Sequence, residues 1–317
     1  MYETFFGLRE RPFDLTSDSR YLFLTPSHRE CLSSLEYGLS ANTGGTVLIG
    51  EAGTGKTTLI RAMLESIDWR RTKAVYLNNP TLTRSELFEF LAREFQLPPD
   101  THLSKTRLIS ALERALLSLR RQNVCAALII DEAQSLPHEL LEEIRLLANI
   151  ETSREKLVPI VLVGQPELGE RLNHASLRQL KQRIGLRCQL RPLNLVETGA
   201  YITSRISIAG GEARTIFTRD AIMAIQDHSQ GIPRTISVIC HNALINAFAL
   251  KRRPLPAGII REVCMDLDLC RPSVTPSVPP PPPRLPASRQ STWRTVPRNL
   301  LAGFVKTSRR YSFFSQN

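Results

Sequence analysis

At 317 residues, with 42% hydrophobic and 22% charged side chains, the chain can build one large α/β domain and a smaller one around a substantial core. No run of 18 apolar residues occurs, so no transmembrane helix is expected. The opening MYETFFGLRERPF mixes Glu3, Arg9, Glu10 and Arg11 where a signal peptide would carry an apolar run, which points to a cytoplasmic protein.

The net charge of +11 resembles a nucleic-acid signature until it is located. From Arg271 onward there are 8 Lys and Arg and no acid, leaving 33 basic against 30 acidic residues before it. Cysteines stand at 31, 125, 188, 240, 264 and 270, with no CxxC pair and no histidine pair at metal spacing. Reduced, mostly buried thiols are therefore expected, and a zinc site is not.

Residues 1–25 read as an N-terminal segment. From 26 to 191, apolar runs alternate with amphipathic stretches. The strand candidates are TVLIG (46–50), AVYLN (74–78), CAALIID (125–131), VPIVLVG (158–164) and IGLRCQL (184–190). Between them, GKTTLIRAMLESI, RSELFEFLAREF, KTRLISALERALLSLRRQ and HELLEEIRLLANI have helical spacing. Continuous apolar strands separated by helices predict a parallel sheet covered on both faces. From 192 to 270 the strands stop, and LVETGAYITSRISIAGG, TRDAIMAIQDHSQ, IPRTISVICHNALINAFALKR and PAGIIREVCMDLDL read as a small helical domain. The remaining 271–317, opening RPSVTPSVPPPPPRLPASRQ, is expected to be a disordered, proline-rich basic tail. Its apolar patches NLLAGFV and RRYSFF could contact a membrane surface or dock a partner, or be a sticky disordered end.

The run Gly50, Glu51, Ala52, Gly53, Thr54, Gly55, Lys56, Thr57, followed by Thr58, fits the Walker A pattern, after a predicted strand and opening a predicted helix. Such a loop curls its backbone N–H groups inward at a helix N-terminus, where anions are favoured. Lys56 would reach the β- and γ-phosphates of ATP, and Thr57 would offer its hydroxyl to Mg²⁺. ALIIDEAQ (127–134) is a Walker B pattern: Asp131 is the second candidate metal ligand and Glu132 is placed to activate the attacking water. A carboxylate beside the metal suits hydrolysis rather than a switch or a kinase.

Three further positions have two readings each. Gln165 ends VLVG as a sensor of the γ-phosphate, if its strand lies between the two Walker strands, or as a polar turn residue before Pro166. Arg178 and Arg183 in LRQLKQRIGL could reach a neighbouring subunit's γ-phosphate as arginine fingers, or form a solvated basic face. Arg234 in QGIPRTI opens a helix, where a cation is disfavoured by the dipole, so an anionic partner such as nucleotide phosphate is expected there.

These ordered motifs resemble an AAA+ ATPase: a P-loop NTPase sheet sandwiched by helices and followed by a helical lid. More narrowly, MYETFFGLRERPFDLTSDSRYLFLTPSHRECLSSLEYGL, GEAGTGKTTLIR, LIIDEAQSLPHELLEEIRLLANIET, IVLVGQPEL, LRQLKQRI and HSQGIPRTISVICHNAL resemble the ExeA/GspA type of the general secretion pathway, over residues 1 to 268. The resemblance implies a bacterial ATPase that forms homo-oligomers and drives assembly of secretion or envelope machinery at the inner membrane. Members of that family typically continue through a membrane helix into a peptidoglycan-binding domain. Here polyproline follows, as in a shorter cytoplasmic relative or a chain whose downstream part is lost, and no peptidoglycan role is implied. A DNA-associated ATPase of the transposition-helper kind and a low-turnover scaffold are the alternative functions.

Overall fold

The computed structural model describes residues 1–14, 19–40, 44–78, 81–153 and 155–269. The proline-rich stretch and both apolar patches of the tail lie outside them.

All five expected strands form: β1 (Gly45–Gly50), β2 (Thr72–Leu77), β3 (Cys125–Ile130), β4 (Ile160–Gly164) and β5 (Ile184–Leu190). They make one parallel sheet in the order β2-β3-β4-β1-β5. The sheet is flanked by α2 (Pro26–Ser40), α3 (Lys56–Ser66), α4 (Arg84–Glu94), α5 (Lys105–Arg121), α6 (His138–Leu147), α7 (Pro166–Leu172) and α8 (Arg178–Gln182), while α1 (Tyr2–Phe6) precedes it. Local chemistry starts several of these. A capping box between Thr83 and Glu86 opens α4, and Pro166 sits in the first turn of α7, where its missing N–H is no loss.

The alternation of strand side chains sorts the core into two layers. Val47, Ile49, Leu128, Ile130, Ile160 and Leu162 point to one face and pack against helices that include α4, α5 and α6. Leu48, Ala127, Ile129, Val161, Val163 and Cys188 point to the other, against α2 and α3. Strand β4 pairs with β1 on one side (Leu48 opposite Val163) and with β3 on the other (Ile130 opposite Leu162). The two Walker strands are thus separated by one inserted strand, about 9.5 Å apart.

After β5 come α9 (Leu195–Ile208), α10 (Ala213–Ile216), α11 (Arg219–Ser229), α12 (Pro233–Ala249) and α13 (Ala257–Asp266), the four expected helices plus one short turn of helix. Their core also takes in the start of the chain: Tyr2, Phe6, Leu8 and Phe13 are buried among Tyr201, Ile206, Phe217, Ile236 and Leu244. Polar contacts hold the segment there. The Arg9 amide donates to the Ala209 carbonyl at 2.8 Å, and the Arg205 guanidinium donates to the Pro12 carbonyl at 2.9 Å while lying over the Tyr21 and Tyr201 rings. No helix among the described residues is long and apolar enough to cross a membrane.

Phe6 is 1% exposed inside the bundle. Truncating it, Phe6→Ala, should cost about 3 kcal/mol of unfolding free energy, as buried aromatic truncations do. Urea denaturation measures this, and a loss below about 1 kcal/mol would mean that the segment only rests on the surface.

Candidate functional site

The loop between β1 and α3 curls at the C-terminal edge of the sheet. Two glycines make the curl possible: Gly53 has φ +80° and Gly55 φ +98°. A Cβ on Gly53 would also stand 2.8 Å from the Arg234 Cβ and 3.1 Å from Ile232. Only a glycine lets the loop touch the start of α12, where the Arg234 amide donates to the Gly53 carbonyl at 3.2 Å. Lys56 is 5% exposed, and its ammonium donates to the carbonyls of Gly50 at 2.8 Å and Glu51 at 3.1 Å. Burial lowers its pKa from the ordinary lysine value, and the nearby carboxylates, Glu132 and Asp131 first, oppose that shift.

Asp131 lies at the end of β3 and is fully buried. Its Oδ2 accepts from the Thr57 hydroxyl at 2.7 Å and from the Tyr76 hydroxyl at 3.0 Å, and its Oδ1 accepts from the Glu132 amide at 2.9 Å. One carboxylate therefore joins the loop, β2 and β3 across the inserted strand. Desolvation and the Asp131 charge raise the Tyr76 pKa, which keeps that hydroxyl a donor. Glu132 occupies the left-handed region with φ +52°, an arrangement rare for a residue with a Cβ. Its carboxylate accepts from the Gln134 amide, while the Gln165 side-chain amide lies 3.5 Å from the same oxygen. The Gln165 backbone N–H donates to the Gln134 side-chain oxygen at 3.0 Å, and Arg171 braces the turn by donating to the carbonyls of Gln134 and Leu136.

Lys56, Thr57, Asp131, Glu132, Gln165 and Arg234 thus come together in one chain. Arg178 and Arg183 do not. The Arg183 carbonyl accepts from the Gly45 amide at 2.9 Å, at the start of β1, a strand length of about 17 Å from the loop. Arg178 is exposed and Arg183 half-buried.

The donor set fits the ATP and Mg²⁺ that the motifs imply. The hydroxyl of Thr57 and the carboxylate of Asp131 are hard oxygens in contact, suited to Mg²⁺. The ammonium of Lys56 and the N-terminus of α3 are suited to phosphate.

Several contacts have no counterpart among the motifs. The Thr25 hydroxyl donates to Nδ1 of His28 at 2.7 Å, and Nε2–H of His28 donates to the Thr54 carbonyl at 3.3 Å, since a carbonyl can only accept. Beside it, Phe23, Thr58, Tyr201 and Pro233 line a narrow cleft of about 70 Å³ that also reaches Gly55. Nothing in TPSHRE marks His28 as a buttress, and Tyr76 becomes a ligand-shell residue only once β2 is known to lie beside β3.

Burial holds the His28 pKa below its ordinary 6.5, with the Thr54 carbonyl only partly opposing that shift. The unfolded chain therefore takes a proton first. This contribution to stability is complete above pH 6.5 and is lost as pH falls through the lower folded value. Between about pH 7 and pH 5 the wild-type Tm should fall more steeply than that of His28→Gln, which keeps an amide donor without a titrating ring. Parallel Tm–pH curves for the two proteins would refute the assignment.

A family model described as an AAA domain matches residues 40–172. General secretion pathway protein A of Aeromonas hydrophila is 41% identical over 249 residues, 78% of this chain and 45% of that protein. Mu-like prophage FluMu DNA transposition protein B of Haemophilus influenzae is 28% identical over 148 residues, 47% of each chain. The chain thus spans under half the length of both curated relatives. Among solved structures, the ORC2 protein of Aeropyrum pernix superposes with a TM-score of 0.56 at 17% identity, over 81% of this chain and 71% of that one, a likeness of fold. The Walker loop on β1, the acidic end of β3 and the strand inserted between them occur here in a chain alike over 249 residues to a named secretion-pathway protein. The chain belongs to the AAA+ P-loop ATPases and is a relative of general secretion pathway protein A.

Proposed function

We propose that this chain hydrolyses ATP in a Mg²⁺-dependent reaction and uses the cycle to assemble or remodel a secretion or envelope partner, as a homo-oligomer in the cytoplasm at the inner membrane. The convergence of Lys56, Thr57, Asp131 and Glu132 around one loop carries the chemical half of this reading. The likeness to general secretion pathway protein A supports the cellular half.

In this reading residues 26–191 bind the nucleotide and 192–270 act as a lid. The loop from Gly50 to Thr58 wraps the phosphates, and Lys56 exchanges two carbonyl partners for phosphate oxygens. Thr57 and Asp131 would hold Mg²⁺, which neutralises charge developing on the phosphates when bound. Glu132 takes the proton of the attacking water, with Gln134 and Gln165 fixing where its carboxylate points. Arg234 approaches the phosphates from the lid side. Arg178 and Arg183, remote from their own loop, would serve a neighbouring subunit's site.

Lys56→Ala should abolish ATP binding, read by fluorescent-nucleotide titration. Glu132→Gln should bind ATP and lower kcat by about 10² or more. Wild-type turnover by the glutamine variant would sink the assigned chemistry.

A DNA-associated role is the second reading, supported by the likeness to the phage transposition protein over 148 residues. Fluorescence anisotropy of the full chain on duplex DNA separates the two. Binding that requires ATP and survives about 0.2 M salt favours the DNA role, whereas binding indifferent to nucleotide and abolished by salt is tail electrostatics alone.

A further inference from the structure

One face of α2 lies on the edge strand β5. Ser27, Cys31, Ser34 and Gly38 recur along it at helical spacing. The Ser27 hydroxyl donates to the Gln189 carbonyl at 3.3 Å, and a Cβ on Gly38 would stand 3.2 Å from Leu186. The bond at Ser27 and the close approach that Gly38 allows lie on either side of Cys31 and hold this face of the helix against the strand that carries Cys188. The pair shares one apolar cluster and lines one pocket of about 350 Å³, together with Ser34, Glu30, Arg187 and Arg191. Each thiol is the largest influence on the other's ionisation, as adjacent groups are. Cys31 and Cys188 are 3% and 6% exposed, and the pocket they line is where small solutes would reach them.

We propose that Cys31 and Cys188 form a redox-active dithiol that hydrogen peroxide entering this pocket oxidises reversibly to an intramolecular disulfide. The Cys188 sulfur attacks one peroxide oxygen and the O–O bond breaks. Cys188 becomes a sulfenic acid, and the leaving hydroxide takes a proton to become water. The Cys31 sulfur then attacks the sulfenic sulfur, the S–S bond forms, and the S–OH oxygen leaves as a second water with the Cys31 proton. Two thiols have given two electrons to one peroxide.

The environment assigns the order of these steps. Contact with Cys31 and with the Ser34 hydroxyl lowers the Cys188 thiol from its ordinary range, against burial and the charge of Glu30. The same contact pushes Cys31 up, so Cys188 attacks and Cys31 resolves. The other cysteines among the described residues set the contrast. Cys240 and Cys264 are fully buried in the helical bundle, and burial raises the Cys240 thiol well above its ordinary range. Burial likewise raises Cys125. Thiols kept reduced by the cytosol commonly form disulfides only when such a bond is a signal.

The test uses the reduced full chain, treated with hydrogen peroxide, quenched with N-ethylmaleimide and mapped by non-reducing peptide mass spectrometry. The expected product has lost two hydrogens, contains a linked Cys31–Cys188 peptide and returns to the starting mass with dithiothreitol. Cys188 should be consumed about ten-fold faster than Cys125. In Cys31→Ser the sulfenic acid should persist on Cys188 and be captured by dimedone, with a Tm scan confirming that the variant is folded. A wild-type chain that carries sulfinic acid on Cys188 with Cys31 still a thiol overturns the proposal. So does a folded chain in which neither residue is oxidised faster than Cys125.

Discussion

The site depends on a single buried carboxylate. Asp131 accepts three protein donors, one from the Walker loop, one from β2 and one from its own chain at the turn after β3. Those groups lie in three separate stretches of sequence, and an inserted strand separates two of them. A buried carboxylate without donors would cost several kcal/mol, so the loop and both strand ends are drawn to one point to satisfy it. The alignment of Thr57 with Asp131, which makes the pair suitable for a hard cation, follows from the same requirement.

The strands were legible because each is a continuous apolar run, the mark of burial on both faces, bounded by polar or glycine-containing turns. The Walker residues were legible because phosphate and metal chemistry demands particular side chains at fixed spacing around a tight turn. Strand order was not legible, since it comes from long-range packing and leaves no local trace. Gln165 was consequently readable only conditionally, as a sensor if β4 entered between the Walker strands, and that insertion is what the sheet shows. His28 and Tyr76 were missed for the same reason, because each has its role through a partner distant in sequence, Thr54 and Asp131. The opening aromatic residues were recognisable as distinctive but not as bundle core, because a five-residue helix is too short to display a periodic face.

Polar detail around Glu132 shows a similar division. The Asp-Glu pair at a strand end can be read from sequence, but the left-handed backbone that turns Glu132 toward Gln134 and Gln165 cannot. That conformation is held by the surrounding hydrogen bonds, including the Arg171 bonds to the carbonyls that follow. Strain at one residue is here balanced by satisfied donors at its neighbours.

The packing of the N-terminal residues into the helical bundle gives the bundle a second covalent link to the sheet. The chain crosses between bundle and sheet twice, once from Tyr21 to Thr25 and once from Leu190 to Leu195. The two crossings run side by side, since Ser27 bonds to Gln189 immediately beyond them. With the bond from the Arg234 amide to the Gly53 carbonyl, these crossings tie the bundle to the same edge of the sheet that carries the Walker loop, so the aromatic residues at the start of the chain help fix what stands over the phosphate site.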